Sequence, residues 1–75
     1  MRKEKIGMQV SEYRLRAKVE MKDFARKMNL SIEDATKLES GELNITEDMV
    51  LLITCVLRLT STEYNILAKM VRGVT

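Results

Sequence analysis

Three hydroxyl residues do most to limit what this chain can fold into. Ser31, Thr46 and Thr60 each precede a run with an acid in its first turn: Asp34 after Ser31, Glu47 and Asp48 after Thr46, and Glu63 closing 60–63 (Thr-Ser-Thr-Glu). A hydroxyl oxygen at such a position accepts from the backbone N–H groups that a helix leaves unpaired at its start. Acids in the first turn complement the positive helix end, and Thr60 with Glu63 has capping-box spacing. Asn29 and Gly41 precede the next starts, and both residue types tolerate the left-handed backbone that ends a helix. A chain of 75 residues with no Pro and three Gly, punctuated in this way, predicts one all-α domain spanning 1–75.

Five helices follow from the spacing of apolar residues. The first, over about 5–18, directs Ile6, Val10, Tyr13 and Ala17 to one face. The second, over about 21–28, turns Phe24, Ala25 and Met28 inward. The third begins after Ser31 and buries Ala35 and Leu38, joined by Ile32 or Leu30 at its entry. A fourth runs from Thr46 to about residue 58 with Val50, Ile53 and Leu57 inward and Leu59 just beyond. The fifth reaches about residue 72 and presents Tyr64, Leu67, Ala68 and Val71. No stretch alternates long enough to be a strand. The sequence leaves open whether residues 1–5 continue the first helix or form a basic arm.

Composition excludes several classes. Without His, and with Cys55 alone, the usual metal sites and the Ser-His or Cys-His catalytic pairs cannot be built. No Gly-rich phosphate loop is present, so neither an enzymatic activity nor a cofactor is expected. A lone Cys suits a reducing cytosol, and no apolar segment follows the basic start, so the chain reads as cytoplasmic. The most apolar stretch, 49–59, is broken by Thr54 and Arg58 and too short to span a bilayer.

The formal charge of +2 conceals a polarity along the chain. Residues 1–30 hold nine Lys and Arg against four acids, a net of +5, whereas 31–75 hold four bases against seven acids, a net of −3.

The turn Asn29-Leu30-Ser31 joins the second and third helices with helix-turn-helix length. Together with Phe24-Ala25, Met28, Ala35 and Leu38-Glu39-Ser40-Gly41, it resembles the Cro/repressor-type (XRE-like) helix-turn-helix family over about 6–60. Arg14 matches an Arg common near the end of that family's first helix. The resemblance implies a small DNA-binding transcriptional regulator, often dimeric, whose third helix reads the major groove. It would act by competing with or recruiting polymerase at an operator. It also implies that Glu39 is a local anchor for the turn. On this view Ile32, Glu33, Thr36 and Lys37 face bases, with Ile32 against a thymine methyl, while Arg14, Arg16, Lys18 and Lys22 face phosphate. As solvated surface, the same four cations need no partner.

The sequence departs from the family's pattern where reading chemistry is expected. Ile32, Glu33 and Asp34 follow Ser31, where polar or basic residues are common; Met21 opens the second helix and Glu42 follows Gly41. Glu33 and Asp34 serve the helix dipole, accept from a cytosine amino group, or keep DNA away. Two functions follow: a DNA-binding regulator contacting double-stranded DNA, or a helix-turn-helix module that binds a protein through its acidic third helix and its apolar fourth and fifth.

The fourth helix is more apolar than one domain face requires. Met49, Leu52, Cys55 and Val56, with Ile66 and Met70 on the fifth, are the expected homodimer surface.

Overall fold

Left-handed residues end all five helices. In a computed structural model, described here over residues 3–73, these are Lys18, Asn29, Gly41, Arg58 and Gly73, with φ between 54° and 88°. Each follows its helix and turns the chain so that otherwise unpaired carbonyls are met. After α1 (Lys3–Arg16), the Val19 N–H donates to the Arg14 carbonyl; after α2 (Met21–Lys27), the Leu30 N–H donates to Ala25 at 2.8 Å. After α3 (Ile32–Ser40), the Glu42 N–H donates to Lys37, also at 2.8 Å. These are Schellman-type endings. Helices α4 (Glu47–Leu57) and α5 (Ser61–Arg72) complete an all-α fold.

The caps act at the expected atoms. Ser31 Oγ accepts from the Asp34 N–H at 3.0 Å, and Thr46 Oγ1 from the Met49 N–H at 3.2 Å. Thr60 and Glu63 form a complete capping box. Helix α2 starts at Glu20 without a side-chain cap. Its position instead follows from Phe24 and Ala25, both buried, and from contact with α3.

Most of the expected core is buried: Ile6, Val10, Tyr13, Phe24, Ala25, Met28, Ala35, Leu38, Val50, Ile53, Leu57, Leu67 and Ala68. Ile45, from the loop before α4, joins them. Ala17 does not. Helix α1 spans Lys3–Arg16 rather than 5–18; Ala17 still donates to the Tyr13 carbonyl at 3.0 Å, but the chain turns off at left-handed Lys18 and Ala17 is left exposed. Its early start places Lys3 to Lys5 in the helix; Met1 and Arg2 lie outside the described residues. At the entry to α3, Leu30 packs against the core and Ile32 is 57% exposed.

Helix α1 sits between α3 on one side and α5 on the other, with α4 also in contact. Gly7 sets the α3 side. A Cβ there would lie 2.6 Å from the carbonyl oxygens of both Leu38 and Glu39, so only a glycine allows this approach. The α4–α5 pair runs antiparallel, and Arg72 Nε reaches Glu47 Oε1 at 2.6 Å across their open ends. Among the described residues, no helix is long and apolar enough to cross a membrane.

Candidate nucleic-acid interface

Helix α3 buries Ala35 and Leu38 and turns Ile32, Glu33, Thr36 and Lys37 outward together. The pairs 32/36 and 33/37 form adjacent i,i+4 rows on one face, as helical geometry requires. The four residues expected to face bases therefore share one surface. Glu33 and Lys37 pair at 3.4 Å, and Thr36 Oγ1 donates to the Ile32 carbonyl at 2.8 Å.

A shallow groove runs beside the start of this helix, between α2 and α3. Lys22, Ala25, Arg26, Asn29, Leu30, Ser31 and Ile32 line it. Lys22 and Arg26 are exposed and one helical turn apart, and exposed Lys27 follows. Arg26 reaches Asp23 at 3.2 Å across a solvent-exposed pair, a weak tie for a cation this open. Sequence reasoning named Lys22 but missed Arg26 and Lys27. The spacing of Lys22 and Arg26 was the available signal.

The two arginines of α1 lie outside this groove. Arg14 was expected to face phosphate. Instead its guanidinium makes two bonds to Glu39, at 2.6 and 3.2 Å, and donates to the Val19 carbonyl at 2.8 Å. Its side chain is only 12% exposed, so α3 takes up the cation's donors. Arg16 lies over the Tyr13 ring, 5.0 Å from its centroid, and pairs with Glu63 of α5. Arg14 is thereby withdrawn from solvent, Arg16 stays 64% exposed in a weak surface pair, and the groove's cations are Lys22 and Arg26. Lys18 is exposed in the turn after α1.

The chain matches no protein-family model and no curated protein sequence. Its surface chemistry therefore carries the functional reading.

A second groove, between α1 and α5, is lined by Gln9, Glu12, Tyr13, Arg16, Glu63 and Ile66. Burial raises the Tyr13 phenol above its ordinary value, aided by nearby Glu63. Glu63 is held below the usual carboxylate value, first by the Thr60 backbone N–H and also by Arg16.

The surface expected to form a dimer separates into parts. Met49, Val56 and Met70 pack partly against the core, covered from within the domain. Leu52 and Cys55 are exposed on α4, and Leu51, which sequence reasoning omitted, is 52% exposed beside them. Ile66 lines the α1–α5 groove. Arg72, which bonds α4, lies about 120° around α5 from Ile66, so Ile66 faces away from the α4 side.

Proposed function

We propose that the chain is a small DNA-binding transcriptional regulator of helix-turn-helix type, with α3 directed at the major groove. The supporting observation is the outward face of α3 lying beside Lys22 and Arg26. A duplex seated on that face would meet cations at its backbone and Ile32, Glu33, Thr36 and Lys37 at its bases. The resemblance of the turn to Cro/repressor-type proteins points the same way.

The same proposal includes a homodimer, reduced to the exposed strip of α4. Asp48 and Arg58 lie five residues either side of Ile53 along that helix. An antiparallel pairing of two copies about a two-fold axis there brings each Asp48 toward the other copy's Arg58, over Leu51, Leu52 and Cys55. Sedimentation velocity at tens of micromolar should give twice the chain mass, and Leu52→Lys should return it to the monomer. A wild-type monomer at that concentration overturns the dimer.

Fluorescence anisotropy with a mixed-sequence duplex across a salt series tests DNA binding. Affinity should fall steeply with salt, and Lys22→Ala with Arg26→Ala should flatten the slope by about one to two ions. Replacing Glu33 and Asp34 by Gln and Asn should raise non-specific affinity if α3 lies against DNA. No binding at low salt overturns the regulator and leaves a protein-binding module, favoured by Glu33 and Asp34 at the tip of α3.

A further inference from the structure

The outward face of α3 carries an apolar row beside a charged one. Thr36 Oγ1 donates its proton back to the Ile32 carbonyl at 2.8 Å, so the hydroxyl has no hydrogen left for a base and the methyl is its apolar group. Ser40 Oγ is likewise turned back, donating to the Lys37 carbonyl at 3.1 Å. Glu33 and Lys37 form an exposed i,i+4 pair at 3.4 Å, a weak tie. In the row beside them stands Ile32, the most exposed large apolar side chain of this helix, at 57%. Ile32 and Thr36 are one turn apart, so their apolar groups form a continuous strip along the face.

Beside this weak, exposed ion pair, the apolar strip itself offers the bases nothing to hydrogen-bond. It is well suited to the one apolar group in the major groove, the C5-methyl of thymine. We propose that Ile32 and Thr36 make this chain a thymine-methyl reader, an inference that rests on the DNA-binding reading above. Sequence preference then arises from the positions of thymine methyls along the groove. Lys22 and Arg26 provide affinity at the backbone without choosing among bases. The i,i+4 spacing places the two apolar contacts about 6 Å apart along the helix, within reach of methyls on neighbouring base pairs.

The test uses two duplexes of equal length and charge, alternating dA·dT and the same sequence with deoxyuridine for thymine. They differ only in the methyl group. Anisotropy at one fixed low salt concentration should show at least about threefold tighter binding to the thymine duplex, the scale of burying one methyl. Ile32→Ala combined with Thr36→Ser should bring the ratio to one, while the salt dependence on either duplex, set by Lys22 and Arg26, stays that of the wild type. Both positions are exposed, and circular dichroism will show that the variant folds. Equal affinity of the wild type for the two duplexes overturns the inference and leaves DNA binding standing. A thymine preference that survives in the double variant also overturns it, because the methyl is then sensed elsewhere. Binding to neither duplex overturns the DNA-binding reading itself.

Discussion

The two sides of α1 hold the fold by different means. Toward α3, Gly7 brings backbone against backbone and Arg14 reaches Glu39 with side chains only 12% and 9% exposed. Toward α5, Arg16 meets Glu63 with the arginine 64% exposed, over an open groove. The arginines are two residues apart and chemically identical. Burial separates them: water screens the Arg16 pair, whereas the Arg14 pair forms in a part-buried site with a third bond to the Val19 carbonyl. The α3 side is a fixed joint and the α5 side a solvated seam. The fixed joint orients the helix proposed to read DNA.

Removing one member of the Arg14–Glu39 pair should be the largest effect. Glu39→Gln or Arg14→Leu leaves a mostly buried charge without its partner, costing about 3 kcal/mol. For a domain of this size that lowers Tm by about 12–24 °C. Urea unfolding followed by circular dichroism measures the loss, and Arg14→Leu with Glu39→Leu should recover much of it. Arg16→Ala, on the seam, should shift Tm by less than about 4 °C. Equal losses at the two arginines would abolish the distinction between joint and seam.

Gly7→Ala should come next. The added methyl meets two carbonyl oxygens of backbone, which cannot rotate away as a flexible side chain can. Separating α1 from the end of α3 costs about 2 kcal/mol, against the stabilisation a Gly→Ala change gives within an open helix. A thermal melt showing Gly7→Ala more stable than wild type would mean that the helices do not approach this closely.

The contrast also explains what could be seen in the sequence. Caps are local: Ser31 with Asp34, or Thr60 with Glu63, form within four residues, so spacing alone predicted the five helices. Heptad-scale apolar spacing likewise identified nearly all of the core. The joint is not local. Arg14 carried a charge whose partner lies 25 residues away, so it was assigned to phosphate; the resemblance offered Glu39 as an anchor without naming its counterpart. Gly7 is an unfavourable residue inside an isolated helix, and only α3 packed against it gives its reason. Ala17 follows the helical period, but α1 ends beside it and leaves it exposed, which periodicity does not register. On the surface, the face of α3 followed from its period, whereas Leu51 and the separation of Ile66 from the α4 strip depended on how α4 and α5 pack.

The seam yields the smallest expected effect and the finest test. Glu63 has a folded pKa below its ordinary value of 4.5, and the first cause is the Thr60 backbone N–H, with Arg16 contributing less. A carboxylate whose pKa is depressed by folding stabilises the protein above its unfolded pKa, and that stability is lost as pH falls through the folded value. Unfolding midpoints measured from pH 7 to pH 2.5 should therefore decline below about pH 4.5. Glu63→Gln should be less stable than wild type at pH 7 and close to it at the acid end. Arg16→Ala should keep most of that acid-dependent difference, because the capping box survives without the arginine. If Arg16→Ala removes the difference as fully as Glu63→Gln does, the ion pair carries the seam and the cap does not.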